Sequence, residues 1–333
     1  MKVKISEARR KLKQLLMLSG APEKDVDLMV AMRLEYDLHQ NTFSGFSRRL
    51  DSAIDELRKS SKRKWKFVVN KPSIKLVNAN GRSARLVGME ILDTLCNSAK
   101  KNGICMIGMY NSTYHGILET YCREIAKRGL IGIVSSNGGP QGVVPFGGRK
   151  DIMGTNPIAY GVPTNGLPIV FDAATAKYAY GSIELAKDRK TKLAPDSYLD
   201  KHGDWTTNPN EAMSIVPFGE HKGYAINLLL EIMTGVLVRG KSGLQQHTEA
   251  ELGGFFIAID PKVFLPLKEF KKQTTRLARD ISKVKPAKGF KEVHVPGFKS
   301  ELYKKRALKS GYVDIEDRVW KGFLSYYEEK LGL

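Results

Sequence analysis

Residues 145–181 read PFGGRKDIMGTNPIAYGVPTNGLPIVFDAATAKYAYG, and the order of turns and apolar runs in that stretch sets the reading of the whole chain. Gly147 and Gly148 give a turn, residues 156–162 a short apolar run, Thr164-Asn165-Gly166 a hairpin-type turn, and residues 167–171 a second apolar run. Two short strands followed by a helix entry are therefore expected. The second run, which includes Val170 and Phe171, stops at an acid, Asp172, and behind it stand Ala173, Ala174, Thr175 and Ala176. Side chains this small let a flat ligand lie close against the backbone, and they equally suit ordinary packing of a strand on a helix.

Upstream, the spacing of apolar residues predicts three helices over residues 5–19, 22–38 and 48–60. The second and third are joined by residues 39–48, a polar connection containing Gly45, of the kind that carries function on a rigid scaffold. Short strands follow within 68–79, then a helix over 83–102 and a buried strand over 104–109. Tyr110-Asn-Ser-Thr-Tyr-His115-Gly116 leads into a helix over 117–128, and strand, polar turn and helix together form a common address for catalytic side chains. A helix dipole beside His115 would lower its pKa and hold the ring neutral. A strand over 130–135 and a loop through Gln141 lead back to the central stretch.

Downstream, Pro217-Phe-Gly-Glu-His221-Lys222-Gly223 opens a helix over 224–239 that is apolar nearly all round and is expected to be buried. His221 and Lys222, beside the free N–H groups of a helix start, make an anion site, or else are two exposed polar residues at a cap. A strand over 255–259, a lysine-rich helix over 266–283, a Pro-Gly turn at Gly297 and a closing helix over 315–330 complete the chain. A small helical domain is expected from residues 1–66 joined by C-terminal helices over 302–333, with 67–301 forming an α/β domain.

With 333 residues, 42% of them hydrophobic, the chain can bury a sizeable core. Residues 224–238 are interrupted by Asn227, Glu231 and Thr234 and fall short of the roughly 20 apolar residues of a membrane span. The first residues are charged and lack an apolar leader core, which argues for the cytoplasm and against a membrane partner. Cys96, Cys105 and Cys122 have neither the count nor the spacing of a disulfide framework or a zinc site, and no metal is expected. The formal net charge of +19 raises nucleic-acid binding as an alternative, but the basic residues are spread out and no nucleic-acid module accompanies them. A solvated surface, or attraction of an anionic substrate and cofactor, is the simpler reading.

Four blocks, GGRKDIMGTNPIAYGVP (147–163), VFDAATAKYAYGSI (170–183), DKHGDWTTNP (200–209) and VPFGEHKGYAINLLLE (216–231), resemble in order and spacing the signature blocks of the type 2 malate/L-lactate dehydrogenase family. The resemblance implies a nicotinamide-dependent oxidoreductase using NAD or NADP. It implies a mixed α/β fold whose cofactor domain is not a Rossmann fold but a largely antiparallel sheet flanked by helices. The lack of a GxGxxG after a strand agrees with that. By the same resemblance Val170, Phe171, Asp172, Ala173, Ala174, Thr175, Ala176, His221, Lys222, Gly297, Phe298 and Lys299 contact the cofactor. Arg48, Gln141 and Asn156 face the substrate, Arg48 having the bidentate geometry that suits a carboxylate.

Two positions depart from the family pattern. Ser44 stands where the family's proton-donating histidine is expected, and Gln141 lies where some members carry a lysine near the substrate. His115 matches the histidine of an Asn-Ser-x-His block, with one extra residue after the serine, and becomes the remaining candidate acid. Three readings follow: hydride transfer to or from a small 2-oxo, 2-hydroxy or 2-imino acid; the family fold with altered or lost catalysis; and, remotely, nucleic-acid binding. Because an imine can bind already protonated, loss of the histidine shifts the expected preference toward imino acids. The resemblance also implies a homodimer, which would cover the apolar helix.

Overall fold

The computed structural model describes residues 1–39, 45, 49–139, 142–246, 248 and 251–333. In chain order these form β1 (Lys2–Lys4), α1 (Ile5–Met17), α2 (Glu23–Leu38), α3 (Leu50–Ser60), β2 (Lys66–Asn70), β3 (Ile74–Asn78), α4 (Ala84–Glu90), α5 (Leu92–Asn102) and β4 (Ile104–Ser112). There follow α6 (Glu119–Lys127), β5 (Ile131–Ser136), β6 (Ile158–Val162), β7 (Ile169–Ala173), α7 (Gly181–Arg189), β8 (Tyr198–Leu199), β9 (Ser214–Ile215) and α8 (His221–Glu231). The last part holds β10 (Leu252–Ile259), α9 (Leu267–Ser282), α10 (Phe298–Ser310), β11 (Tyr312–Asp314) and α11 (Asp317–Leu331).

The chain separates into two units. One comprises Lys64–Val162 and Phe171–Pro266, the other Met1–Arg63, Pro163–Val170 and Leu267–Leu333. Residues 163–170 and 267–301 thus group with the helical unit, beyond the 1–66 and 302–333 read from the sequence. The first unit is built on a seven-stranded sheet of order β2-β3-β4-β10-β5-β6-β7. Only β3 and β4 pair in parallel among the registers described, and β10 runs antiparallel to both β4 and β5. Its sequence, LGGFFIAI, is an unbroken apolar run because both faces are covered: Phe255, Phe256 and Ala258 are all buried. Phe256 sits opposite Ile107 on one side and Val134 on the other, at the centre of the sheet.

The helical unit packs Leu12, Leu15 and Leu16 of α1 with Val26, Met29 and Val30 of α2, Leu57 of α3 and Phe323 of α11, all buried. β1 pairs antiparallel with β11, so the first and last parts of the chain close one small core. That pairing of three-residue strands, and helix α10, were not legible as elements from the apolar spacing. The helix expected over 83–102 is also interrupted, at Ile91, into α4 and α5.

The helix expected over 224–239 needs a larger correction. It starts at His221, turns π-helical over Ile232–Val236, and is not buried all round. Asn227, Glu231 and Thr234, its polar residues at helical spacing, face inward and are buried. Ile226, Leu228, Leu229, Ile232, Val236 and Leu237 are exposed, Leu229 at 55% and Val236 at 63%. The usual arrangement is inverted because the inward face serves a polar network, which leaves the apolar face exposed among the described residues.

Candidate functional site

The α/β unit brings together two of the blocks singled out in the sequence. Past the end of β7, the Lys177 N–H donates to the Val216 carbonyl (2.8 Å) and the Phe218 N–H to the Thr175 carbonyl (3.1 Å), with a bridge between Ala176 and Pro217. The small-residue segment and the turn before α8 therefore lie side by side. Val170, Thr175 and Ala176 are buried, while Asp172, Ala173 and Ala174 are half-buried and Phe171 is exposed and stacked on Tyr160 at 5.3 Å. Thr175 spends its hydroxyl on the carbonyls of Thr155 and Asn156, both at 3.0 Å, which fixes the segment against the preceding block.

The start of α8 is shaped by Gly223, where a Cβ would lie 1.8 Å from the Phe218 carbonyl oxygen. Only glycine lets the turn fold back this tightly. A Cβ on Gly219 would meet nothing within 4 Å, and Glu220 has φ 58° and ψ −126° with no side-chain cap on the helix. His221 and Lys222 are exposed, and Phe146 of the Pro145–Gly148 turn packs edge-on against the His221 ring at 5.9 Å. An uncapped helix start, open space over a glycine, a cation and a flanking strip of alanines fit a diphosphate and a flat ring. The helix start was expected to be buried; it is open instead.

Asn156 has a different place from the one expected of a substrate contact. It is 0% exposed, at φ 34°, and its amide nitrogen donates to Glu231 Oε2 (2.6 Å) and Asn227 Oδ1 (2.8 Å) while its oxygen accepts from the Gly138 N–H (3.0 Å). Glu231 Oε1 accepts from the Gly243 N–H, and Asn227 donates to the Gly154 carbonyl. Asn137 extends the network by accepting from the Gly253 N–H and donating to the Lys241 carbonyl. With every polar arm occupied, Asn156 anchors the 137–139 loop, α8 and the loop at Gly243 to one another. Asn137, Asn227 and Glu231 were not singled out as site residues, although the polar positions 227, 231 and 234 in an otherwise apolar helix were the readable signal.

His115 is fully buried, and neither ring nitrogen has a hydrogen-bond partner among the described residues. Its ring packs against the central strand β10, where a Cβ on Gly254 would come within 2.6 Å of its Nε2, and its carbonyl accepts from the Tyr121 hydroxyl. Desolvation, with a smaller contribution from the Arg85 guanidinium, lowers its pKa to about 3. The ring is neutral as expected, but the cause is burial and not a dipole, since α6 begins four residues later at Glu119. A neutral imidazole keeps one N–H and can donate a hydrogen bond, but it is a far weaker acid than an imidazolium, which weighs against His115 as the sole proton donor.

Asp172 accepts a hydrogen bond from the Glu119 N–H at 3.1 Å. It thereby caps α6, whose own N-cap residue Leu118 supplies no side chain. Desolvation, opposed by the backbone donors and reinforced by Glu119, raises its pKa to about 7. The acid at the strand end thus ties β7 to the segment that carries His115. In the helical unit the turn at Gly297 packs on Val170, whose N–H donates to the Pro296 carbonyl, and a Cβ there would come within 2.8 Å of the Val170 oxygen. Phe298 and Lys299 open α10 from that turn. Ser44, Arg48 and Gln141 lie outside the described residues; at Gly45, between the first two, a Cβ would come within 2.7 Å of the Asp37 carboxylate.

A family model described as malate/L-lactate dehydrogenase matches residues 3–323. The chain belongs to that family. A malate/(S)-sulfolactate dehydrogenase of Methanothermus fervidus is 33% identical over 247 residues, 72% of this chain and 71% of the relative. A Delta(1)-pyrroline-2-carboxylate reductase of Burkholderia ambifaria is 35% identical over 204 residues, 58% of this chain and 59% of the relative. The solved sulfolactate dehydrogenase of Methanocaldococcus jannaschii superposes with a TM-score of 0.87 at 28% identity, covering 100% of this chain and 98% of the other. This malate/L-lactate dehydrogenase family member is an oxidoreductase of mixed α/β fold with a mostly antiparallel central sheet. The alternative of a fold kept without catalysis gains no support from relatives that are named dehydrogenases and reductases. No described helix is long and apolar enough to cross a membrane.

Proposed function

We propose that this protein is an NAD(P)-dependent reductase or dehydrogenase of a small 2-oxo, 2-hydroxy or 2-imino acid, working as a cytoplasmic homodimer. The observation that carries the reading is the lateral pairing of residues 174–177 with the open turn Phe218–Lys222, which unites a small-residue strip and a cationic helix start. A bound nicotinamide would accept or donate the hydride. Lys222 and the free N–H groups of α8 hold its diphosphate, and Ala173 and Ala174 leave room for its flat parts. Phe171 and Asp172 border the same ligand, and the family resemblance assigns Gly297, Phe298 and Lys299 to the cofactor as well. Val170, Thr175, Ala176 and Asn156 act beneath it by fixing the backbone. The family resemblance assigns Arg48, whose guanidinium is a fork suited to a carboxylate, to the substrate, and Gln141 and Ser44 to the same ligand.

The proton decides the substrate. Ketone reduction leaves an alkoxide that needs a proton as it forms, and a positioned acid is worth about 100-fold to 10,000-fold in rate. Ser44 is no acid near neutral pH, and burial holds His115 neutral, where it is only a weak acid. A substrate that arrives protonated on nitrogen, as a cyclic imino acid does, avoids the need. The kinship with a pyrroline carboxylate reductase supports that branch.

The apolar outer face of α8 supports the dimer, since a second copy would cover Leu229 and Val236. Three buried thiols, all free, suit a reducing compartment.

The test is fluorescence titration with reduced cofactor followed by turnover on matched keto and imino acids. Saturable binding below millimolar cofactor and faster imine reduction are expected. Absence of binding would remove the cofactor reading. Equal rates, or a keto preference unchanged in Ser44→His, would remove the imine reading and leave the cofactor site standing.

A further inference from the structure

The C-terminal end of α9 and the segment after it form a surface that the oxidoreductase reading does not use. Apolar residues Leu277, Ile281 and Val284 recur at intervals of four and three, the Val284 N–H bonding to the Ile281 carbonyl so that the stripe continues beyond the helix. The early part of α9 is tied down: Thr274 donates to the Pro163 carbonyl and the Thr275 hydroxyl accepts from the Asn165 N–H. Past Ala278, which is buried, every residue from Arg279 to Lys291 except half-buried Pro286 is exposed. Val284 is 58% exposed and Phe290 73%. Phe290 is held at the tip of a turn, its N–H bonded to the Ala287 carbonyl beside Gly289 at φ 93°. Lys283, Lys285, Lys288 and Lys291 alternate with these apolar side chains, and no acidic residue lies between Ile281 and Lys291.

From this alternation we infer that residues 277–291 form a peripheral docking surface for an anionic lipid bilayer. Exposed Val, Ile and Phe are costly in water, and burying one such side chain returns about 1.5–3 kcal/mol. Lysine stems lie along an apolar boundary while their ammonium groups reach the headgroups. A second copy of this chain does not fit, because the patch would oppose its own lysines. Nucleic acid fits less well. Four of the five cations are lysine and the one arginine, Arg279, lies beside Asp280 at 3.8 Å, so arginine forks suited to phosphate are scarce, and three of the four exposed apolar residues are aliphatic and give bases nothing to stack on. The fluid, unspecific bilayer surface matches a patch that presents charge and apolar tips side by side. The sequence had suggested no membrane partner; that argument addressed a spanning helix and an apolar leader, neither of which a surface contact needs.

Co-sedimentation of the full chain with vesicles tests this, comparing phosphatidylcholine alone with mixtures containing phosphatidylglycerol, at low and high salt. Partition onto the anionic vesicles alone, falling with salt, is expected. Lys285→Gln with Lys288→Gln should weaken it about 30-fold, at roughly 1 kcal/mol per lysine. Phe290→Ser should weaken it at least about tenfold. Unchanged turnover in the three substituted positions shows that the fold is intact, since none touches the candidate site. No partition onto anionic vesicles at low salt overturns the inference. So does partition indifferent to Phe290→Ser, which would leave charge alone as the cause, and so does tight duplex DNA or RNA binding through the same residues without vesicle binding.

Discussion

Asp172 and His115 sit on connected segments and pull the pH dependence of stability in opposite directions. The folded pKa of Asp172 is raised to about 7, above an unfolded value near 3.9, so its contribution is fully present below about pH 4 and is lost as pH rises through 7. The folded pKa of His115 is lowered to about 3 from the ordinary 6.5, so its contribution is present above pH 6.5 and is lost as pH falls toward 3. Between pH 4 and 6.5 the two slopes offset, and single substitutions should expose them. Asp172→Asn, which keeps an acceptor for the Glu119 N–H, should gain stability relative to the wild type at pH 8 compared with pH 4. His115→Leu should lose less than the wild type on acidification from pH 7 to 4. Urea midpoints at the three pH values measure both; parallel curves for wild type and variants would show that neither group titrates in this window. At Glu220 the strain is in the backbone. A non-glycine residue at φ 58° and ψ −126° costs about 1–3 kcal/mol, so Glu220→Gly is expected to stabilise by about 1 kcal/mol after the added chain entropy is discounted. A lower urea midpoint for that variant would place the origin of the geometry in the Glu220 side chain instead.

At the scale of elements, α8 carries both the site and the proposed subunit contact, and its two faces predict different outcomes. Leu229→Lys puts a charge on the outer apolar face and should convert the dimer to monomer by light scattering while the urea midpoint stays close to that of the separated wild-type chain. Gly223→Ala acts on the inner turn, where a Cβ has no room beside the Phe218 carbonyl. It should lower stability by more than about 2 kcal/mol and weaken cofactor binding without dissociating subunits. A dimer that survives Leu229→Lys would mean another surface holds it. The same helix shows what was legible beforehand. Its existence, its starting block and the pairing of β6 with a following strand came through in apolar spacing and turn chemistry, because those signals are local. The direction of its faces did not, because an apolar helix reads as buried unless the inward polar positions 227, 231 and 234 are taken as a network with Asn156, and that partner is 71 residues away. β1 with β11 and β8 with β9 escaped for the related reason that two- and three-residue strands are made by their partners and carry no period of their own.

The whole molecule carries a formal charge of +19, and whether that charge is a bland solvated surface or helps the chemistry is open to one titration. Distributed positive charge draws anions toward the protein and at the same time strains the compact state by self-repulsion. Added salt weakens both effects, since the screening length falls from about 10 Å at 0.1 M to about 3 Å at 1 M. If the field steers substrate, kcat/KM for a small carboxylic acid should fall by about tenfold over that range while kcat changes little, because screening acts on encounter more than on the bound state. A dicarboxylate should show a steeper slope than a monocarboxylate of similar size. Thermal stability should rise over the same salt range as repulsion is relieved, provided sodium chloride is used so that specific anion binding at Lys222 stays weak. Falling kcat/KM together with rising Tm assigns both consequences to the net charge. A flat kcat/KM with equal slopes for the two acids would leave the lysines as solvated surface, and the vesicle-binding patch would then be the one place where their number matters.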